Sequence, residues 1–445
     1  MSYDICVIGL GYVGLPLAVS LAASGCHVTG VEINPDVVEK LSNGKTHIYE
    51  PGLQQLLRET LKSGNFKVTN NISEYQNQNH TYFIITVGTP VDQDNRCNLQ
   101  MINNASEEIA TILKDNDVVL LRSTVRPGVT ASICKTKLDT TGKKYFLAFC
   151  PERIVEGNAL QELKSIPTII GCPDKESYHC ASNVMKQLND NIIHVPSYEA
   201  AEIIKLINNI KRDTSFALSN EIAMICEQLG VNMTEVLTAA TTDYHRGAMP
   251  AVGLVGGPCL TKDIFLLNES LENSTYSPSI GLLARSVNDR IPVHGADAIV
   301  DYLTKYQPSN RRPNVSFLGL AFKGKPVTND IRGTKVIEII ERLNDRLDTV
   351  NYCAYDPEVA KQDAELIGVK LVSSIEQAFH KSDVVIITSN HKEFESLSLK
   401  VMSKNMTENA LIYDFWPQCR KKPEELDMSI AYIGFGEGLQ IKKLL

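Results

Sequence analysis

No window of the 445-residue chain approaches the run of about 18 apolar residues that a bilayer-spanning helix requires, so no transmembrane segment is expected. Basic blocks and basic stripes are missing as well. With 44 Lys+Arg against 52 Asp+Glu the formal net charge is -8, which gives a phosphate backbone little to bind and excludes nucleic acid as an expected partner. The 11 cysteines include no CxxC pair and no close Cys/His cluster, so no metal site is expected. Their odd number suits a reducing compartment, and the expected location is the cytoplasm. A basic leader is also lacking: residues 1–25 are apolar, but Gly9, Gly11, Gly14 and Pro16 interrupt them and fit a strand, a turn and a helix better than a secretory signal. There is no low-complexity tract. Hydrophobic residues at 43% and charged residues at 22% describe an ordinary globular chain.

At this length a single core stops growing, so two or three domains are expected. From Tyr3 to about Pro196, short β-branched runs (ICVIG, HVTGVEI, TYFIITVG, DVVLLRST, KYFLAFC, PTIIG) alternate with amphipathic stretches, the pattern of a parallel doubly wound sheet. From Ser197 to about Tyr306 the pattern turns helical, notably over Glu199–Leu229 and Ser277–Tyr306, with a Gly-rich break at Gly253–Cys259. After the polar break QPSNRRPN, strand-like runs return (VSFLGLAF, TVNYCAYD, VKLV, DVVIITS, LIYDF) with helices between them. The expected class is α/β: two Rossmann-like doubly wound domains, 1–196 and 307–445, joined by a central helical domain, 197–306.

The strand ICVIG runs directly into Gly9-Leu10-Gly11-Tyr12-Val13-Gly14, a helical pattern follows, and the second strand ends at Glu32 about 20 residues on. Gly9 permits the tight turn, Gly11 lets the backbone approach a pyrophosphate, and Gly14 allows close helix packing, while the helix start offers amide donors. Glu32 would accept from a ribose hydroxyl and repel a 2′-phosphate, which favours NAD over NADP. A lone GxGxxG is also found in Gly-rich turns of other α/β proteins; strand, helix and acid in register favour dinucleotide binding, with Tyr12 and Val13 in the same turn. Val87-Gly88-Thr89-Pro90 ends a later strand where open α/β sheets bind ligand, making Thr89 a candidate cofactor contact, although a loop threonine is usually structural.

Two further groups carry candidate chemistry. Gly256-Gly257-Pro258-Cys259-Leu260-Thr261-Lys262-Asp263 delivers a cysteine to the expected start of a helix, with Lys262 three residues along; amide dipoles and a nearby cation stabilise a thiolate. Most cysteines are nevertheless small buried hydrophobes. On the long middle helix Lys205 and Asn209 share a face, with Glu202 one turn earlier. A desolvated lysine serves as a base and an amide stabilises an oxyanion, yet a solvated polar face is the commoner reason for such a stripe.

Read in order, GLGYVGLPLA at Gly9, EPGL at Glu50, VGTP at Val87, STVRPG at Ser123, CPERIVEG at Cys150, KLINN at Lys205, GGPCLTKD at Gly256 and LGLAFKGKPVTNDIR at Leu318 resemble the UDP-glucose/GDP-mannose dehydrogenase family along almost the whole chain. The resemblance implies an NAD domain, a helical centre that forms a homodimer, and a C-terminal domain for the nucleotide diphosphate. It implies a four-electron oxidation of a sugar C6 alcohol to a carboxylate with two NAD in turn. Lys205 would assist loss of the alcohol proton, and Asn209 and Lys205 would stabilise the oxyanion. Cys259 would form a thiohemiacetal and then a thioester, and Glu152 would activate water held by Thr124 and Asp263. Thr124, Glu156 and Lys262 match residues near the cofactor. Glu152, Arg153, Glu156, Lys205, Asn209, Arg212, Gly256 and Lys262 match residues near the sugar or diphosphate, Arg246 would reach across from a partner subunit, and Lys323 and Arg332 match the nucleotide-facing motif.

The glucose and mannose branches carry Phe-Leu after the first glutamate. Here Glu152-Arg153, Arg212-Asp213 and Gly-Gly-Pro-Cys look more like the branch that oxidises N-acetylated sugars, so a UDP-N-acetylhexosamine such as UDP-N-acetylmannosamine is the favoured substrate, with UDP-glucose or GDP-mannose as alternatives. The segment between Arg246 and Cys259 is short for the family, and Tyr413-Asp414-Phe415-Trp416 lacks the arginine usual after that aspartate. Trp416, the only tryptophan, could stack on a base or sugar or simply pack. Two other readings stay open: a two-electron hydroxyacid dehydrogenase, and a non-catalytic sugar-nucleotide sensor.

Overall fold

The computed structural model describes residues 3–75, 81–92, 94–306, 311–417 and 430–440. Residues 307–310 of the polar break, and the chain ends 1–2 and 441–445 of the outer expected domains, lie outside the described residues. Two compact units are present. The first comprises the chain up to Asn209 together with Lys262–Pro278, and the second Ile210–Thr261 together with the chain from Ser279 on. The cut falls inside the 32-residue helix Tyr198–Leu229, so the segment 197–306 is shared between the units.

In the first unit, β1 (Asp4–Ile8), β2 (His27–Val31), β3 (Phe66–Thr69), β4 (Thr81–Ile85), β5 (Asp117–Leu121), β6 (Tyr145–Phe149), β7 (Thr168–Gly171) and β8 (Ile192–Val195) form one sheet in the order β3-β2-β1-β4-β5-β6-β7-β8. The six strands read from the sequence are all there. The additional pair, β3 and β8, are four residues each, too short for alternation to single them out, and β8 exposes the apolar Ile193 beside His194. Every pair is parallel except β6–β7, which meet antiparallel at Phe149 and Gly171. β5 is buried along its whole length, as a strand covered on both faces must be.

The second unit carries β9 (Asn314–Leu318), β10 (Asn351–Tyr355), β11 (Lys370–Leu371), β12 (Val384–Ile387), β13 (Leu411–Asp414), β14 (Ala431–Gly434) and β15 (Gly438–Gln440) in the order β11-β10-β9-β12-β13-β14-β15, parallel but for β14–β15. β14 and β15 had no counterpart among the expected strands. The helix Ser279–Tyr306 shares a core with this sheet: Ile291, Ile299 and Leu303 lie in one cluster with Val315, Phe317, Ile386 and Phe415. Among the described residues no helix is long and apolar enough to cross a membrane, and no group of three His, Cys, Asp or Glu is placed to hold a metal ion.

Candidate active site

In the first unit the strand order reverses at β1, flanked by β2 on one side and β4 on the other, and ligands of open α/β sheets bind in the crevice beyond that point. Gly9 takes φ +89° there, a backbone region that glycine enters without strain, and its amide donates to Val31 O at 2.8 Å. A side chain at Gly14 would bring Cβ within 1.8 Å of Gly9 O, whereas one at Gly11 would meet nothing within 4 Å. Gly14 therefore seals the helix against the turn, and Gly11 leaves open backbone over it. The helix Gly14–Ala23 has no side-chain cap at its start; the Leu15 amide is taken by Gly11 O at 3.1 Å and Pro16 has no N–H, so what the helix start offers an anion is chiefly the positive end of its dipole. Thr86 Oγ1 fixes the turn from below through Ile8 O (2.9 Å) and Gly9 O (2.7 Å). Glu32 accepts from the Leu10 amide at 2.9 Å and the Asn34 amide at 3.1 Å, which holds its carboxylate at the tip of β2 with lone pairs to spare for a ribose. These residues fit a dinucleotide.

Beyond β4 and β5, the loops containing Thr89 and Thr124 are joined: Thr89 Oγ1 donates to Thr124 O at 2.6 Å, and Ser123 Oγ to Val87 O at 2.7 Å. Lys262 Nζ donates to Thr89 O at 2.8 Å and lies 3.0 Å from its Oγ1. The sequence had placed Thr89, Thr124 and Lys262 separately in the cofactor group; the fold brings them to one spot. Tyr12, Val13 and Glu156 are half-buried.

The polar stripe on Tyr198–Leu229 faces inward, against the commoner solvated reading. Glu202 is fully buried and accepts from the Gly128 amide (2.6 Å), the Thr130 amide (2.9 Å) and Thr130 Oγ1 (2.6 Å), tying the helix to the STVRPG loop. Lys205 is 9% exposed and Asn209 7%. Asn209 Nδ2 donates to Asp263 Oδ2 at 2.6 Å. Asp263 is 1% exposed, and its Oδ1 has no hydrogen-bond partner among the described residues. Burial pushes its carboxyl up, although the charges of Lys262 and Lys205 and the Asn209 hydrogen bond pull the other way. A lysine, an amide and an acid with an uncommitted oxygen therefore meet in one buried place.

Glu152 follows β6 and is buried against Arg122 in a short ion pair, with the amides of Arg153 (2.8 Å) and Ile154 (3.1 Å) on its other oxygen. Burial alone would raise this carboxyl. The Arg122 charge and hydrogen bond, with the two amides, outweigh it and hold the group below the usual carboxylate range. Glu50 of EPGL accepts from the Gly157 and Ala159 amides, both at 2.8 Å, and so anchors the same loop. One amino group of Arg153, Nη2, donates to the Pro167 carbonyl. Sequence reasoning missed Arg122 and the role of Glu50. The usable signal for Arg122 was a charge ending the apolar run Val118–Leu121, which demands a partner when buried.

In the second unit, Gly256 and Gly257 lie against the turn at Gly333. The Gly257 amide donates to Gly333 O at 3.0 Å, and a Cβ at Gly256 would sit 2.4 Å from the same oxygen. Cys259 occupies the turn that follows; the next helix begins only at Asp263, so the cysteine precedes it by a full turn. Of the ten described cysteines, Cys259 is the exposed one. The segment from Leu318 repeats the N-terminal cradle: the Gly319 amide donates to Tyr355 O at 2.9 Å, Asp356 accepts from the Leu320 amide at 2.7 Å, and Thr388 Oγ1 lies against Leu318 O and Gly319 O. Lys323 lies 5.3 Å from the Phe322 ring centre, and Arg332 is paired with Asp330. Arg212 and Arg246 are exposed, the latter 5.3 Å from the Tyr244 ring centre. Trp416 packs: its ring would meet a Cβ at Gly253 at 2.5 Å, and its Nε1 donates to Thr388 O at 3.1 Å.

Three family models match the chain in order: the NAD binding domain of the UDP-glucose/GDP-mannose dehydrogenase family over residues 3–189, its central domain over 199–290 and its UDP binding domain over 316–421. A UDP-N-acetyl-D-mannosamine dehydrogenase of Pyrococcus horikoshii is 31% identical over 98% of this chain and 99% of its own. A structure described as a UDP-D-ManNAc dehydrogenase from the same organism superposes with a TM-score of 0.86 at 29% identity, covering 98% of this chain and 99% of that one. A UDP-glucose dehydrogenase structure from Pyrobaculum islandicum gives 0.84 at 25% identity, covering 98% of both chains. The hydroxyacid reading had no use for the C-terminal α/β segment, which the UDP binding domain now accounts for. The chain belongs to the UDP-glucose/GDP-mannose dehydrogenase family and is an NAD-dependent nucleotide-sugar dehydrogenase.

Proposed function

We propose that this enzyme oxidises the C6 hydroxyl of UDP-N-acetyl-D-mannosamine to the carboxylate, removing four electrons through a covalent intermediate on Cys259. The observation that carries the covalent step is the exposure of Cys259 alone among the described cysteines, on a turn fastened through Gly257. The choice of sugar rests on Arg153 directly after Glu152, where the glucose and mannose branches carry Phe-Leu, and on the names of relatives such as the Pyrococcus horikoshii enzyme.

NAD, when bound, supplies the hydride acceptor for each oxidation. At the first, Lys205 takes the alcohol proton, and Lys205 with the second N–H of Asn209 donates to the developing oxyanion, since its first N–H is held by Asp263. The Cys259 thiolate then adds to the aldehyde carbon, giving a thiohemiacetal whose oxidation leaves a thioester. Water attacks that thioester, expelling the thiolate and forming the carboxylate. Thr124 and Asp263 Oδ1 hold the water, and Glu152, kept ionised beside Arg122, activates it. Arg153, Glu156 and Arg212 belong to the sugar side, and Lys323 and Arg332 to the diphosphate, where charge-assisted hydrogen bonds repay the ordering of long cations. The test is NADH yield across UDP-N-acetylmannosamine, UDP-N-acetylglucosamine, UDP-N-acetylgalactosamine, UDP-glucose and GDP-mannose. Turnover of any of them excludes a sensor.

We further propose a homodimer through the central helices, with Arg246 serving the partner's site. In the second unit the helix Tyr198–Leu229 exposes Leu218 (52%), Ile225 (50%) and Leu229 (71%) at helical spacing, and Ser279–Tyr306 exposes Ile280 (75%) and Leu283 (68%). Apolar stripes of this kind mark an interface rather than a solvent face. Leu218→Glu with Ile225→Glu is expected to weaken association on the order of 100-fold, because carboxylates would be desolvated on binding; sedimentation should show a monomer with unchanged helix content. A dimer of wild-type affinity would refute this interface. The cytoplasm, which supplies NAD and UDP-sugars together, is the proposed location.

A further inference from the structure

The turn that carries Cys259 is held from within the second unit by one buried arginine. Arg285, on the helix Ser279–Tyr306, is 1% exposed. Its Nη2 donates to Val255 O at 3.1 Å and its Nη1 reaches Leu260 O at a long 3.5 Å, so the two carbonyls that bracket Gly256–Cys259 converge on a single guanidinium. The charge is matched by Asp213, whose Oδ1 accepts from Nη1 at 2.8 Å and from Asn288 Nδ2 at 2.8 Å. Asp289 lies 3.0 Å from Nη2 and also 3.0 Å from Lys335 Nζ, two residues past the Gly333 turn to which Gly257 is bonded.

Stability alone does not explain this arrangement. A buried arginine–carboxylate pair is on average no better than well-packed apolar side chains, and this one leaves Arg285 Nε and Asp213 Oδ2 without hydrogen-bond partners among the described residues. Each such group calls for an explanation. A planar fork is the one side chain that can meet two carbonyls and a carboxylate in fixed directions at once.

Building on the thioester reading above, we infer that Arg285 is a positioning residue for Cys259: by gripping Val255 O and Leu260 O it sets the thiol for attack on the aldehyde and plays no part in the first oxidation. Arg285→Lys keeps the charge beside Asp213 but cannot span both carbonyls. With UDP-N-acetylmannosamine and NAD, the first NADH is expected within about threefold of the wild-type rate, while the second slows at least about tenfold and aldehyde becomes trappable by hydroxylamine. Amide exchange over residues 254–260 should quicken by about tenfold or more with the rest of the helix unchanged. A parallel fall of both oxidations, or unchanged exchange over 254–260, overturns the inference. Should Arg285→Lys fail to fold, Asp213→Asn with Arg285→Gln removes both charges together and is read the same way. If the wild-type enzyme itself releases one NADH or none from every sugar, the four-electron reading has failed, and exchange alone decides whether Arg285 tethers the turn.

Discussion

Replacing Cys259 by alanine is expected to reduce steady two-NADH turnover on the order of 10³-fold or more, the scale on which a covalent nucleophile is missed. The loss should be confined to chemistry after the aldehyde. Lys205, Asn209 and Asp263 form their own buried group in the first unit, so a first hydride transfer should survive and leave aldehyde trappable by hydroxylamine. Binding of UDP-sugar should change little, because the thiolate bonds to the sugar only after the aldehyde has formed. Stopped-flow absorbance at the NADH band, with mass spectrometry of the trapped product, separates these outcomes. Undiminished release of two NADH by the Cys259→Ala enzyme would remove the covalent route altogether.

Glu152→Gln is expected to act on both stability and the last chemical step. The carboxylate is buried against an equally buried Arg122, and deleting one member of such a pair costs about 3–5 kcal/mol because the remaining charge is uncompensated. A fall in Tm on the order of 10 °C follows for a unit of this size. The pH dependence has a definite sign. Since the folded enzyme holds this carboxyl below its ordinary range, the contribution of the pair is fully present above the unfolded carboxylate pKa of about 4.3 and is lost as pH falls through the lower folded value. The wild-type protein should therefore lose its Tm advantage over Glu152→Gln in acid and keep it at neutral pH. In catalysis the thioester should outlive its formation, with hydrolysis slowed about 10²–10⁴-fold, the range of a lost general base. Intact-mass measurement would then find the C6 acyl group of the UDP-sugar uronic acid on Cys259 in the variant. A variant as stable as wild type that accumulates no adduct would contradict both halves of this account.

Much of the molecule could be read without coordinates, and the reason lies in which interactions are local. Gly9, Gly14 and Glu32 announce themselves because strand, turn, helix and acid follow one another within one βαβ unit, and the structure places each where that motif requires. The long helices were visible in their periodicity to within a few residues of Tyr198–Leu229 and Ser279–Tyr306. Polarity of a helix face, in contrast, cannot be resolved by periodicity: Glu202, Lys205 and Asn209 have the spacing of a solvated stripe and are buried. The charged pairs that hold the loops are also silent in sequence. Arg122 and Glu152 are 30 residues apart and Arg285 and Asp213 are 72 apart, and no local rule connects them. Trp416 had two readings, and the packing of its ring on Gly253 favours the structural one.

The central claim is a four-electron oxidation of a UDP-N-acetylhexosamine, and its most direct test is the number of NADH molecules formed per UDP-N-acetylmannosamine consumed, measured with NAD in excess until the sugar is exhausted. The account predicts two, with the uronic acid as sole sugar product. One NADH per sugar, with the aldehyde as product, would contradict the covalent step at Cys259, and none from this or any other nucleotide sugar would contradict the activity itself.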